Sequence, residues 1–414
     1  MNIGFYFKFV GAEIGGSYTF QKNFLTSLLR MADKQHDIFI LYSGKKQWKD
    51  DEVAANITFI NIDDLPTPAT TINGVGIKNL IPQPVQKIIN KVNLLFTYYN
   101  TKIQYYNNYN NKIQHIVDKY GIDFFYFVHP TYYALKIPFA ITVWDLAHRR
   151  HPYLPEESYM HNNFQRKDNF FANVLPRASM IATGTNESKK QIIKYYNCEE
   201  ELIKVIPFPV IEDLVVADVV APGKELPSEY FFYPAQMWSQ KNHIVLLKAL
   251  EILKKKGKKY HFVFTGSDQG NYTYIKNKIS ELELTDQITF ADFVDRGQLK
   301  YLYQNAIAMV FPAIIGPDNL PPIEAMSLGC PVLCGNYEGA TDQLGDTALF
   351  FDRLNEEDLA GKMENVFENI DLRKELIAKG YNLTNELGNF DNYLNKIYSH
   401  LNIYQKIIRT WKDS

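Results

Sequence analysis

Short apolar runs alternate with helical periods over almost the whole chain, and that rhythm restricts the fold more than any other feature. In the first half the runs fall at residues 3–7, 37–42, 57–62, 123–128, 139–143, 180–183 and 204–206. Between the first two, Phe20, Phe24, Leu25, Leu28 and Met31 repeat with the period of one helix face. A second series falls at residues 230–233, 260–265, 288–290, 307–311, 332–334 and 348–351. Strands separated by helices predict an α/β protein whose parallel sheets are covered on both faces. At 414 residues the chain is too long for one ordinary core. Two doubly wound, Rossmann-like domains facing a cleft are therefore expected. Four prolines, Pro207, Pro209, Pro222 and Pro227, mark a linker over residues 207–228. The expected domains are 1–206 and 229–386, followed by helices over 387–414.

Composition removes several function classes. Lys and Arg number 44 against 46 Asp and Glu, a formal charge of −2, so no general nucleic-acid binder is expected and any anion site must be local. Cys198, Cys330 and Cys334 have no zinc-type spacing and cannot build a disulfide framework; buried thiols in a reducing compartment are expected. No apolar run reaches the roughly 18 residues of a membrane span, and no secretory leader is visible, which predicts a cytoplasmic protein. Residues 84–119 read as one long helix with Val85, Ile88, Ile89, Val92, Phe96 and Ile103 on a stripe. Two readings stay open for it: a helix packed on the first domain, or a surface with Lys87, Lys91 and Lys102 that meets a lipid-linked acceptor at the inner membrane face.

The chemistry concentrates in four stretches. In FPAIIGPDNLPPIEAMSLGCPV, residues 311–332, a buried strand leads through a turn-rich loop to Asn319, a good helix N-cap, and then to two prolines. Proline is tolerated in a first helical turn because those amides have no helical partner. A helix start aimed at the cleft suits an anion such as a diphosphate, with the amides of Asn319 and Leu320 as the remaining donors. Glu324 follows, read either as an acid stabilising the helix dipole or as a ligand-binding group. In FFYPAQMWSQKNH, Lys241 stands where a helix over 242–256 begins. A cation there opposes the dipole, and a bound anion resolves the conflict.

GAEIGGSYTF places Gly11, Gly15 and Gly16 between the first strand and a helix expected to be capped by Ser17, a loop able to approach a phosphate or sugar closely. ITVWDLAHRRHP crowds Asp145, His148, Arg149, Arg150 and His151 at the end of a strand, where an acceptor or phosphate would be handled. The bland alternative is a solvated loop with Asp145 capping a turn. His129, just after another strand, also points to the cleft. No Walker loop, nucleophile elbow or His-Glu-x-x-His is present, and no metal or other cofactor is expected.

Together these motifs resemble the family 4 glycosyltransferases, the retaining glycosyl transferases group 1 enzymes of the GT-B fold. The resemblance runs from IGGSYTF through ASMIATGTNESKKQIIKYYNC and KVIPFPV to GATDQLGDTALFFD, and is most specific over residues 230–352. PAQ-x-W-x-x-KNH and GP-x-N-(Leu/Ile)-PP-(Leu/Ile)-EA look like one branch of that family. The resemblance implies a nucleotide-sugar in the second domain, an acceptor in the first, and C-terminal helices that cross back onto the first domain. It implies that Glu324 holds the ribose hydroxyls and that Asn319 and Leu320 meet the diphosphate. Lys241 would bind phosphate, Gly16 would be the first-domain loop glycine, and Val294 would lie where main chain reads the base. Two family residues are replaced: the first glutamate of the motif by Gly316, and the arginine five residues before the lysine by Gln236.

On this basis the chain is expected to transfer a hexose, from GDP-mannose or dTDP-rhamnose ahead of UDP-sugars, to a glycan or lipid-linked glycan of a surface polysaccharide or O-antigen. Asp145 and His148 are candidates to orient the acceptor hydroxyl. His129, Arg149 and Arg150 are candidates to bind the acceptor, either arginine standing in for the missing cation. Two rivals remain at this level: a sugar-nucleotide epimerase of the same architecture, and a non-catalytic partner in a glycan-assembly complex.

Overall fold

A computed structural model of the chain describes residues 1–9, 15–31, 36–48, 54–64, 111–158 and 163–411. The strand-forming runs build two separate parallel sheets. The first contains β1 (Asn2–Lys8), β2 (Asp37–Ser43), β3 (Ile57–Asn61), β4 (Phe124–Phe127), β5 (Phe139–Thr142), β6 (Met180–Thr183) and β7 (Ile203–Val205), in the order β3-β2-β1-β4-β5-β6-β7. The second contains β8 (Phe231–Pro234), β9 (Phe262–Thr265), β10 (Ile288–Phe290), β11 (Ala308–Phe311), β12 (Val332–Gly335) and β13 (Leu349–Phe351), in the order β10-β9-β8-β11-β12-β13. Central strands such as Phe124-Phe125-Tyr126-Phe127 are buried throughout, as expected where helices cover both faces. Gly4 in β1 makes room for such bulk: a Cβ there would fall 2.4 Å from the Phe125 ring.

Strand order reverses at β1/β4 in the first sheet and at β8/β11 in the second. At such a reversal the two outgoing connections leave to opposite faces of the sheet, and a crevice opens beyond the strand ends. Three of the four sequence motifs, plus His129, leave from these reversal strands. The loop after β5, with its histidines and arginines, does not.

The C-terminal helix Phe390–Ile408 lies on the first sheet. Its stripe of Phe390, Tyr393, Leu394, Ile397 and Leu401 is buried. Phe20 meets Phe390 and Tyr393 at ring-centroid distances of 5.4 and 5.7 Å, and Tyr404 meets Phe124 at 5.2 Å. Contacts of this kind contribute about 0.5–1.5 kcal/mol each beyond burial. Of the long helix expected over 84–119, residues 84–110 lie outside the described residues. Residues 111–120 are helical and bury Ile113, Ile116 and Val117 in the first domain's core. The three cysteines are free and buried. No helix among the described residues is long and apolar enough to cross a membrane.

Candidate active site

The two reversal crevices face one another across a cleft of about 630 Å³. Gly16, Gln236, Lys241, Val294, Asn319, Leu320 and Glu324 all line it.

After β8 the chain makes a tight turn, Ser239–Lys241, before the helix His243–Lys255. Lys241 ends that turn two positions before the helix, with Asn242 between them in the left-handed conformation, φ 51°. The Asn242 side chain donates to the carbonyls of Pro312 (3.2 Å) and Arg353 (2.8 Å), fixing the turn to the loops after β11 and β13. The Lys241 carbonyl accepts from the buried Tyr233 hydroxyl at 2.7 Å. Its ammonium lies 5.3 Å from the centroid of the Phe311 ring. Burial pushes the Lys241 ammonium down to about 8, and the charges of Asp145 and Glu156 oppose that push.

The helix Leu320–Ser327 begins at the same crevice, with Pro321 and Pro322 in its first turn. Its donors differ from expectation. Asn319 occupies the N-cap position, but its side chain bonds back to the Gly316 carbonyl instead of capping the helix. Its amide is also taken, by the Gln343 side chain at 3.1 Å. Gln343 additionally donates to the Asn319 carbonyl and to Asp318, both at 2.8 Å. This leaves the Leu320 amide, followed by two residues that have none, as the donor of that first turn.

Gly316 is not part of the cleft wall. It adopts φ 121°, and a Cβ would stand 2.6 Å from the Asn319 side chain. The glycine makes the turn that orients Asn319, so a glutamate could not replace it without remodelling the loop. Gln236, on the cleft wall, is held between two loops: it accepts from the Trp238 indole at 3.1 Å and donates to Ser267, after β9, at 3.3 Å.

Glu324 is buried one turn into the helix, where it accepts from the Tyr303 hydroxyl at 3.0 Å. Burial raises its pKa above the ordinary carboxylate range, while Arg296 and the Tyr303 bond pull it back. On the first domain, the helix Gly16–Arg30 starts behind Gly15, φ 78°, not behind Ser17. A Cβ at Gly16 would lie 3.7 Å from the Leu320 side chain, so this loop sits against the opposite helix start.

The loop after β5 departs furthest from expectation. His148 is fully buried, stacked on Phe171 and bonded to the Tyr196 hydroxyl at 2.8 Å, with its pKa pushed down to about 4 by burial. A buried neutral imidazole away from the cleft cannot orient an acceptor. Arg149 pairs with Asp168 of its own domain at 2.5 Å. Arg150 does reach the other domain, but there it meets Glu338 at 3.1 Å. Neither arginine lines the cleft. Asp145 accepts from the Ala147 amide at 2.9 Å and acts on Lys241 through space. His129 stands behind Trp144, ring centroids 5.0 Å apart, and it is Trp144 that faces the cleft.

Sequence reasoning missed Arg296, Gln343 and Glu156. Arg296 lines the cleft, donates to Thr19 of the first domain at 2.9 Å, and lies 4.0 Å from Glu324. The clue was available, since Arg296 opens a helix capped by Asp295 and is as oddly placed against the dipole as Lys241. Gln343 and Glu156 carried no such signal, because their partners are distant in sequence. The domains also meet at Gly184, where a Cβ would coincide with the Asp318 carboxylate. Burial there pushes Asp318 up to about 8. Asp342 caps the opposite domain's helix Asn186–Tyr196 through the Glu187 amide at 2.9 Å.

A sequence model described as "Glycosyl transferases group 1" matches residues 218–383, the stretch that contains both second-domain motifs. The chain carries a glycosyl transferases group 1 domain on the GT-B fold. The O-antigen chain mannosyltransferase RfbU of Salmonella typhimurium is 26% identical over 192 residues, covering 46% of this chain and 52% of that relative. The O-antigen chain mannosyltransferase B of Escherichia coli is 26% identical over 188 residues, covering 43% and 49%. The chain thus matches about half the length of these curated relatives. A crystal structure of a glycosyltransferase from Rickettsia africae ESF-5 superposes with a TM-score of 0.64 at 18% identity, covering 100% of this chain and 99% of the other. The group 1 match places Lys241 and Glu324 inside the shared domain, and leaves Trp144 and Glu156 outside it.

Proposed function

We propose that this chain is a retaining glycosyltransferase that moves a hexose from a nucleoside-diphosphate sugar to a glycan or lipid-linked glycan acceptor of O-antigen type. One observation carries the reading: Lys241 and the Leu320–Ser327 helix start converge on one crevice, with buried Glu324 one turn deeper. A diphosphate fits between the first two, and ribose hydroxyls fit the acid. Mannose from GDP-mannose is favoured over rhamnose from dTDP-rhamnose, because the relatives above are named mannosyltransferases.

As the sugar–phosphate bond breaks, negative charge grows on the leaving diphosphate. The fixed positive potential of Lys241 and the Leu320 helix start opposes that charge, and preorganised contacts of this kind give the largest single share of many rate enhancements. The cleft-lining acids are engaged, Asp292 by Lys224, Asp295 by the Gln298 amide, Asp318 by Gln343 and Glu324 by Tyr303, which favours front-face attack over a covalent glycosyl intermediate. In that mechanism a donor phosphate oxygen accepts the acceptor proton. Because a side chain and a helix supply the positive potential, transfer proceeds without a metal ion.

Melting curves with GDP, UDP, dTDP and ADP test the donor. GDP should give the largest rise, and a protein that responds to none of the four refutes the reading. Nucleotide release from GDP-mannose in the presence of a mannose-terminated acceptor, unchanged by EDTA, tests the transfer. Binding without release would instead support a non-catalytic role.

A further inference from the structure

The turn that carries Lys241 is held from the opposite domain. Glu156 lies in the short first-domain helix Pro155–Ser158 and is 8% exposed. Its Oε1 accepts from the Gln240 amide at 3.0 Å, while its Oε2 is buried with no hydrogen-bond partner. The neighbouring Glu157 is bonded to Lys167 at 2.7 Å. A buried carboxylate with one oxygen unengaged is costly, and a nearby positive charge is the usual compensation.

That charge is Lys241, which feels both Glu156 and Asp145. Both acids belong to the first domain and Lys241 to the second. From its own domain Lys241 faces the Phe311 ring, Tyr233 beneath its carbonyl, and His243. His243 is fully buried and its pKa is pushed down to about 3, so it stays uncharged. The second domain thus gives the lysine no counter-charge among the groups that act on it.

We infer that Glu156 is a positioning residue that seats the Ser239–Lys241 turn through the Gln240 amide and, together with Asp145, keeps Lys241 an ammonium when the two domains are together. The inference gains its catalytic meaning from the proposed role of Lys241 at the diphosphate. It makes the electrostatic centre of the donor site a product of both domains. Parting them would take both carboxylates away from Lys241. Closure over a donor would return both carboxylates to the lysine as the bond to the diphosphate breaks.

Glu156→Gln separates the two roles, since its amide oxygen can still accept from Gln240 but carries no charge. Competitive labelling of Lys241 with acetic anhydride across pH, read by mass spectrometry, reports its titration without requiring any turnover. The wild-type midpoint should lie near 8. In Glu156→Gln it should fall by about one pH unit, the effect of losing one nearby opposite charge. Asp145→Asn should move it the same way, and the double variant further. The alkaline limb of GDP-mannose turnover should shift downward in parallel, with melting temperature unchanged in Glu156→Gln and lowered in Glu156→Ala. A Lys241 titration that is the same in wild type, Glu156→Gln and Glu156→Ala overturns the inference and leaves Glu156 a structural tie. A shifted titration in a protein that binds no nucleotide would keep the charge coupling and refute the transferase reading alone.

Discussion

Two loops attract attention for their chemistry, and the structure treats them in opposite ways. The loop after β5 holds two histidines, two arginines and an aspartate within seven residues. The stretch after β11, a loop and the helix start behind it, holds two carboxylates, Asp318 and Glu324, amid prolines and a glycine. Yet the second builds the cleft, while the first spends its charges on packing: His148 on Phe171 and Tyr196, Arg149 on Asp168, Arg150 on Glu338. Density of titratable groups was a poorer guide than position in the sheet. β11 stands at the strand-order reversal, where a crevice must open, whereas β5 lies between β4 and β6 on one flank.

The contrast can be broken most forcefully at Lys241. Lys241→Ala should lower turnover by about 10²–10³-fold, the cost of removing one preorganised charge-stabilising contact. The variant should still fold, with only a small fall in melting temperature, because Asp145 and Glu156 lose the positive charge they face. Retained turnover would return the β8 and β11 loops to a structural role.

A smaller effect is expected at the turn itself. Gly316→Glu restores the residue type of the wider family, but it should destabilise the protein by about 1–3 kcal/mol, the cost of a side chain held at such a φ. The Cβ collides with Asn319, so denaturant unfolding should register the loss and no activity should be gained. A stable, more active variant would show that the loop can remodel.

The loop after β5 should respond to acid instead. With a folded pKa of about 4 against an unfolded value near 6.5, His148 contributes stability above pH 6.5 that is lost as pH falls towards 4. The unfolded chain takes up the proton first. His148→Gln should flatten that part of the stability–pH curve while leaving transfer at neutral pH within a few-fold of wild type. The smallest effect belongs to Arg150→Ala, a loss of about 0.2–1 kcal/mol for a partly exposed pair. A large fall in turnover in either variant would bring the β5 loop back into the chemistry.

Much of the site was legible because local rules marked it. Lys241 stood against a helix dipole, and Leu320 preceded two prolines that fit only a first turn. The glycines at 15 and 16 lay between a strand and a helix. Where the reading failed, the partner was far away in the chain. Asn319 looked like a cap, but Gln343 takes its amide and Gly316 its side chain. Nothing near residue 156 shows that its carboxylate would meet the Gln240 amide, 84 residues on. Residue 316 read as a lost sugar contact, and only its left-handed φ shows that the glycine is required there.

By itself, the sequence determined the two parallel sheets, their strands and the helix starts that face the cleft, because apolar periodicity and helix-end chemistry act over a few residues. Only the tertiary structure decided which charges remain available to a ligand. That outcome depends on how two domains meet, where a carboxylate from one side can neutralise, tether or sustain a cation on the other.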